Sequence, residues 1–206
     1  DEKRLQYAAM VAAVDESVGR IRNAIKHRGI ENETIIIFTS DQGSWFENPP
    51  FRGSKRVDTL CEGGARVPLL VHWPGVTSEG SKTKSIVQTT DLFPTFVEMG
   101  GGVPRSDLDG VSLVSTIKTN EDLARGRPVF GYRAYEDLYG SVRDGRWKLL
   151  VYRSGRLDLF DVESDRYETN ECGQENPDIV DQLVSKLSSW EEEVGVEDYS
   201  GLPSKP

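Results

Sequence analysis

TIIIFTSDQGSWFENPPFRGSK, residues 34–55, is the stretch that decides the fold of this 206-residue chain. Its first seven residues, 34–40, form a continuous apolar and β-branched run in which polar and apolar positions do not alternate. Such a run is typical of a strand that is buried on both faces of a parallel sheet. We therefore expect a central strand of an α/β fold here, with the rest of the chain arranged around it.

Polar residues follow this strand at once. Asp41 and Gln42 stand where the run ends, and Arg52 and Lys55 come a short distance further along. In open α/β sheets, ligands bind in the crevice at the carboxyl ends of the strands. A carboxylate and an amide oxygen suit a hard cation, and the two cationic side chains suit an anionic substrate. The combination favours metal-assisted chemistry on an ester of a strong acid.

The flanking residues complete the α/β pattern. Residues 3–27 predict a long amphipathic helix, residues 67–73 a second strand, and residues 91–99 a short helix with Thr90 as its N-cap. Residues 44–64 form a loop longer than a structural connection requires, and loops of that kind often line a site. The apolar positions of the first helix recur every three or four residues: Tyr7, Val11, Val14, Val18, Ile21 and Ile25.

The second half of the chain has a different pattern. Short strands are predicted over residues 128–132, 140–142, 146–152 and 156–160, and Asp144-Gly145 and Ser154-Gly155 are hairpin turn signals between them. A last helix follows from Asn176 to Val194. We therefore expect two units: an α/β domain over residues 1–124, and a small antiparallel sheet with one covering helix over residues 125–206.

Composition limits the function further. The chain carries 34 acidic and 25 basic residues, a net charge of −9, which argues against nucleic acid as a partner. No apolar run is long enough to cross a membrane. The two cysteines, Cys61 and Cys172, match no metal-binding spacing, and the sequence leaves open whether they pair.

Seven segments in this order resemble one family. They are TIIIFTSDQG, FRGSK, EGGARVPLLVHWPGV, TTDLFPTFVEMGG, DLDGVSL, SVRDGRWKLL and LDLFDVESDRYETNE. The set is similar to the C-terminal portion of formylglycine-dependent, arylsulfatase-type sulfatases, which belong to the alkaline-phosphatase-like superfamily. The resemblance covers nearly the whole chain and implies part of that mixed α/β sheet, followed by the family's small C-terminal subdomain.

The resemblance also implies a site. Asp41 and Gln42 match the pair that ligates the active-site Ca²⁺, and Lys55 matches the catalytic lysine that contacts the sulfate group. Between Lys55 and Glu62 this chain has two residues more than the commonest family spacing. Arg52, itself predicted to bind substrate, or Arg56 therefore stays an alternative for the sulfate contact.

The family's nucleophile motif, C/S-x-P-x-R, is absent from this sequence, because neither Cys61 nor Cys172 is followed by the required Pro and Arg. The resemblance places the formylglycine and the other metal ligands upstream of Asp1. We therefore expect this chain to supply half of the site, to be inactive alone, and to depend on a missing N-terminal half or to self-associate.

Three functions are compatible with these residues. The first is hydrolysis of aryl or carbohydrate sulfate esters, in an exported (periplasmic, extracellular or lysosomal) protein as is usual in the family. The second is a phosphodiesterase or phosphonate hydrolase of the same superfamily, although such enzymes usually have Asp-His where this chain has Asp41-Gln42. The third is a non-catalytic module that binds sulfated glycans through Arg52, Lys55 and Arg56.

Overall fold

The computed structural model describes residues 2–197. Helices and strands alternate in its first part, and four consecutive strands and a long helix make up the second. The elements are α1 (Glu2–His27), β1 (Ile36–Thr39), α2 (Glu62–Ala65), β2 (Leu69–His72), α3 (Leu92–Met99), α4 (Val114–Thr119), β3 (Val129–Tyr132), β4 (Leu138–Asp144), β5 (Trp147–Tyr152), β6 (Leu157–Asp161) and α5 (Pro177–Val194).

The apolar run at residues 34–40 contains β1, but the prediction of a doubly buried strand in a parallel sheet is wrong for the described residues. β1 pairs antiparallel with β2, from Ile36 opposite His72 to Thr39 opposite Leu69, and its residues are half-buried or exposed. The direction follows from the connection. Parallel neighbours need a crossover, usually a long helix, whereas the only helix in residues 40–68, between β1 and β2, is the four-residue α2.

The strands of the second half form an antiparallel sheet in the order β3-β4-β5-β6. The predicted hairpin turns are confirmed: β4 meets β5 at Asp144-Gly145, and β5 meets β6 around Ser154-Gly155. Both glycines have positive φ angles, 55° and 85°, which other residues adopt only with strain. The fold class, α/β with a small antiparallel sheet and a covering helix, is thereby as predicted. The predicted limits of the two units extend to Asp1 and to residues 198–206, which lie outside the described residues.

The antiparallel sheet is covered on both faces, and this arrangement positions the candidate site. On one face, α5 packs through Leu183 and Leu187 against Val142, Leu149 and Leu159. The opposite face packs against the loop that carries Lys55, in a cluster of buried side chains: Leu60, Cys61, Leu138, Leu150, Tyr152, Phe160 and Val162. The small sheet therefore supports the loop through the face opposite to α5.

The start of α3 differs from its prediction. Thr90 is expected to cap the helix, but it lies inside a 3₁₀ turn, Thr89–Asp91, that leads into α3. Gln88 and Asp91 form the capping box of this turn, and the backbone N–H of Gln88 donates to Asp91 Oδ2 at 2.8 Å. Asp91 is then the N-cap residue of α3. Asp91 is fully buried, accepts a hydrogen bond from Val111 N at 2.9 Å, and pairs with Arg125. Asp91 therefore ties two distant segments to α3, which an exposed N-cap threonine could not do.

Helix α1 is as long as predicted, but none of its residues is buried. Its large apolar side chains are mostly exposed, with Leu5 at 72%, Met10 at 67% and Ile21 at 57%. Near its start, α1 contacts the loop that follows β1, where the Tyr7 ring lies edge-on to the Phe46 ring. No helix in the described part of the chain is long and apolar enough to span a membrane.

Candidate active site

The candidate site begins where β1 ends. The backbone N–H of Gly43 donates to Gly64 O at 2.8 Å, so the residues after β1 are joined to the helical turn α2. A Cβ on Gly43 would lie only 1.9 Å from Gly63 O. Only glycine fits at this contact, and this explains the Gly that follows Asp41 and Gln42.

The segment around Lys55 is hydrogen-bonded to both the residues after β1 and the helical turn α2. Lys55 N donates to Ser44 O at 2.8 Å, and Gly63 N donates to Arg52 O at 2.7 Å. Gly53 has a φ of 79°, and a Cβ there would lie 2.3 Å from Asp58 O. The loop from Gly43 to Gly64 is therefore held together mainly by backbone hydrogen bonds and close glycine packing, which fixes the direction of Lys55.

The structure brings Asp41 and Lys55 together. Lys55 Nζ donates to Asp41 Oδ2 at 2.7 Å, although 14 positions separate them in the sequence. This hydrogen bond holds the pKa of Asp41 below its usual value, so the carboxylate is ionised at neutral pH. The Asp41 side chain is 72% exposed and that of Lys55 is 35% exposed. The pair is therefore accessible to a ligand.

The chemistry of this end of β1 suits a hard cation, but the ligand set is partial. Asp41 offers carboxylate oxygens and the half-buried Gln42 an amide oxygen, whereas Ca²⁺ takes six to eight oxygen ligands. Within residues 2–197, no group of three or more His, Cys, Asp or Glu side chains could hold a metal ion. These two residues can therefore contribute to a calcium site but cannot complete one.

Arg52 and Arg56 point elsewhere. Arg52 Nη2 donates to the Tyr152 hydroxyl at 2.6 Å and Nη1 donates to Asp158 Oδ2 at 3.3 Å, so this side chain joins the loop to β5 and β6. The Arg56 guanidinium lies 5.0 Å from the centre of the Trp45 ring, which is half exposed beside the pair. The structure thus places Lys55, and neither arginine, against Asp41. Substrate binding by Arg52 stays a prediction.

A buried ionic network supports the loop from the small sheet, and the sequence did not reveal it. Lys148 of β5 is 4% exposed, and its Nζ lies 2.8 Å from both Glu62 Oε1 and Glu168 Oε1. Glu168 also accepts a hydrogen bond from Glu62 N at 2.8 Å, and Arg66 pairs with Glu62 at 2.7 Å. Burial alone raises the pKa of Glu62, but Lys148 and Arg66 outweigh it and leave that pKa below its usual value. The one available signal was a lysine within the apolar run WKLLVY.

The two cysteines are both free thiols. Cys61 is fully buried beneath the loop, and burial raises its pKa to about 12. Cys172 is half-buried near β6, and its Sγ donates to Leu159 O at 3.4 Å. Cys61 is therefore a packing residue without the thiolate character of a nucleophile.

The fold and the polar pair beyond β1 describe an α/β protein with a candidate ligand site at the end of a strand. Two family models match this chain. The model described as Sulfatase matches residues 2–103, and the model described as N-sulphoglucosamine sulphohydrolase, C-terminal, matches residues 54–193. The second match alone covers more than half of the chain. The chain belongs to the sulfatase family.

Several curated relatives are similar along most of this chain. A sulfatase of Formosa agariphila is 30% identical over 217 residues, covering 89% of this chain and 39% of the relative. Arylsulfatase J of Mus musculus is 29% identical over 241 residues, covering 91% of this chain and 40% of the relative. N-acetylgalactosamine-6-sulfatase of Mus musculus is 33% identical over 138 residues, covering 63% and 26%. This chain therefore spans less than half the length of the curated relatives it matches.

Solved structures agree with the fold class. The crystal structure of Ps i-CgsB is 30% identical, with a TM-score of 0.81, and the match covers 89% of this chain and 42% of that one. A protein solved with its substrate, D-glucosamine-2-N,6-O-disulfate, is 26% identical, with a TM-score of 0.72 over 89% of this chain and 39% of that one. A phosphonate monoester hydrolase of Agrobacterium radiobacter is also 26% identical, with a TM-score of 0.60 over 90% and 39%. The alkaline-phosphatase-like architecture is therefore common to neighbours with more than one chemistry.

Proposed function

We propose that the whole protein is an exported sulfuric ester hydrolase acting on aryl or carbohydrate sulfates, and that this chain supplies Asp41, Gln42 and Lys55 to its active site. The single observation that carries the proposal is the 2.7 Å contact between Lys55 Nζ and Asp41 Oδ2 at the end of β1. It joins the two residues that the family resemblance assigns to the metal and to the sulfate.

Lys55 binds the sulfate group of the substrate. Its ammonium has three N–H donors, and one of them is directed at Asp41. The other two are available to sulfate oxygens, and Asp41 keeps the ammonium oriented toward the rim of the site. A bound Ca²⁺, held in part by Asp41 and Gln42, would polarise the sulfate oxygens and stabilise the charge that develops during cleavage. The nucleophile, a formylglycine, belongs to the part of the protein outside this chain.

Two comparisons support sulfate rather than phosphonate as the substrate. The neutral amide oxygen of Gln42 suits Ca²⁺, whereas an imidazole at this position would favour a transition metal. The relatives reported above include an N-acetylgalactosamine-6-sulfatase, a name that favours a carbohydrate ester.

The test is hydrolysis of 4-nitrophenyl sulfate by the full-length protein, with and without a calcium chelator. We expect calcium-dependent turnover that falls by about 100-fold or more in Lys55→Ala and in Asp41→Asn, the loss typical of removing a charge-stabilising group. Asp107→Asn is the matched control, because Asp107 also pairs with an exposed cation, Arg105, outside the site. Preferential hydrolysis of 4-nitrophenyl phenylphosphonate would favour the phosphonate alternative. Binding of sulfated glycans without turnover would favour the non-catalytic one.

The other partner we propose is the rest of the catalytic domain. The apolar face of α1 is uncovered in the described residues, with Val11 at 53% and Val14 at 51% exposed. Because the relatives are more than twice as long as the matched region, the missing N-terminal half is the occupant that this face fits. The 206-residue chain alone is expected to give no turnover of 4-nitrophenyl sulfate.

A further inference from the structure

A cavity lies apart from the candidate active site. Its volume is about 940 Å³, within the size range of small-molecule sites. Its walls are residues 83–86, residues 122–127, the β4–β5 turn and residues 162–166, together with Arg66. Asp41, Gln42 and Lys55 do not line it.

Positive charge dominates the cavity, in a chain whose net charge is −9. Six cationic side chains line it: Arg66, Lys84, Arg125, Arg127, Arg143 and Arg166. Three acidic side chains line it: Asp122, Asp144 and Glu163. Arg66 and Arg125 pair with Glu62 and Asp91, and Asp144 pairs with Lys186. The other four cations have no ion pair with any described residue, so the cavity keeps an excess of positive charge.

Two of the arginines have unused hydrogen-bonding capacity. The Arg125 side chain is 7% exposed, and its Nε donates to Ile86 O at 3.2 Å, but its buried Nη1 has no hydrogen-bond partner among residues 2–197. Arg143 is half-buried and donates through Nε to Gly145 O at 2.8 Å. Burial, with a contribution from nearby Arg66, lowers the pKa of Arg143 from its ordinary value. An anion in the cavity would relieve the repulsion between the guanidinium groups and accept from the unpaired donor.

The cavity and the candidate active site lie along the same face of the small sheet, at a distance from each other. Arg143 is paired in register with Lys148, at the start of β5, whereas Arg52 contacts Tyr152 at its end. Lys148 and Tyr152 are four positions apart, which corresponds to about 13 Å along a strand. Arg52 belongs to the same backbone segment as Lys55, so the cavity and the candidate active site lie toward opposite ends of this sheet face.

We propose that this cavity is a second anion site, which binds a sulfate or carboxylate group on a sugar remote from the ester that is cleaved. The proposal rests on the proposed function, since it requires a polymeric anionic substrate. Guanidinium groups bind planar carboxylates and sulfate oxygens through paired N–H donors, which several cavity arginines can supply at once. One chain of a sulfated polysaccharide would then contact both sites.

The test measures binding of a size-defined heparin hexasaccharide to the full-length protein by isothermal titration calorimetry, alongside turnover of 4-nitrophenyl sulfate. Arg143→Gln and the exposed Arg166→Gln remove cavity cations, and Arg28→Gln removes an exposed arginine that does not line the cavity. We expect Kd to rise about tenfold in each cavity variant, as for the loss of a charge-assisted contact. Arg28→Gln should leave Kd unchanged, and all three should keep wild-type turnover of the small ester.

Several results would overturn the inference. Wild-type protein that does not bind the hexasaccharide, or cavity variants that bind as tightly as wild type, would exclude a glycan site. A lower melting temperature in Arg143→Gln with an unchanged Kd would instead assign the cavity to an acidic segment of the protein itself. Failure of the proposed function has a different signature, because turnover of 4-nitrophenyl sulfate would then be absent whether or not the hexasaccharide binds.

Discussion

Replacing Lys148 by methionine tests whether the small sheet holds the loop of the candidate active site, residues 43–64, in place. Lys148 is the cation between two buried carboxylates, with Glu62 10% and Glu168 0% exposed at their side chains. Methionine has nearly the same length and fills the same space but carries no charge. The substitution therefore leaves the packing in place and removes the ion pairs.

The expected loss of stability depends on which hydrogen-bond and ion-pair partners Glu62 and Glu168 keep. Removing one member of a buried ion pair typically costs about 3–5 kcal/mol, because it leaves an uncompensated charge. Glu62 would keep Arg66, and Glu168 would keep its hydrogen bond from Glu62 N, so the loss should fall at the lower end. We expect the free energy of unfolding to fall by about 3 kcal/mol at neutral pH.

The measurement is urea unfolding of the full-length protein, followed by tryptophan fluorescence. Lys186→Met is the matched control, because Lys186 pairs with Asp144 at side chains that are 34% and 38% exposed. Exposed pairs contribute about 0–1 kcal/mol, so this variant should be nearly as stable as wild type. A double variant with Glu168→Gln should recover part of the lost stability, because the uncompensated carboxylate is then neutral.

The pH dependence gives a second measurement. Because the folded protein lowers the pKa of Glu62, the stability from its ion pairs is present above the unfolded value of 4.5 and is lost as the pH falls below it. The gap between wild type and Lys148→Met should therefore shrink in acid. If Lys148→Met is as stable as Lys186→Met, or if the gap is the same at pH 4 and pH 7, the reasoning is refuted.

Three further predictions follow from packing. Gly43→Ala should lower both the melting temperature and the turnover, because the added Cβ would lie 1.9 Å from Gly63 O. Gly19→Ala inside exposed α1, where nothing lies within 4 Å, should keep the turnover and should not lower the melting temperature, since alanine has the higher helix propensity. Cys61 should resist alkylation by iodoacetamide at pH 8 in the native protein and react in urea, since it is buried with a pKa of about 12; rapid native labelling of that thiol would contradict its burial. The 206-residue chain alone should self-associate in light scattering through the exposed face of α1, and a clean monomer with a cooperative melt would count against this docking face.

The sequence predicted those features that local signals determine. The hairpins of the small sheet were predicted from Asp144-Gly145 and Ser154-Gly155, and α1 and α5 from apolar residues three or four positions apart. The direction of β1 relative to β2 was not predictable, because an apolar run carries no information about the direction of its partner. Its burial was overestimated because, within the described residues, β1 belongs to a sheet of only two strands.

The candidate site shows a similar division. The family motifs predicted Asp41 and Lys55 as site residues, and the structure brings them into contact. The position of Arg52 was not predictable, since its partner Asp158 lies 106 positions away. The burial of Lys148 was not predicted, because its ion-pair partners, Glu62 and Glu168, are separated from it in the sequence. Only the fold brings these opposite charges to it.

The way in which residues 43–64 are held has a consequence for engineering. Because main-chain hydrogen bonds, four tightly packed glycines at 43, 53, 63 and 64, and the buried side chains of Leu60, Cys61 and Glu62 set its path, the exposed side chains between them do not determine its shape. Trp45 and Arg56 can therefore be randomised in a library without moving Asp41 or Lys55. If the proposed function holds, selection on different sulfated sugars would then change specificity while the contact between Asp41 and Lys55 is kept.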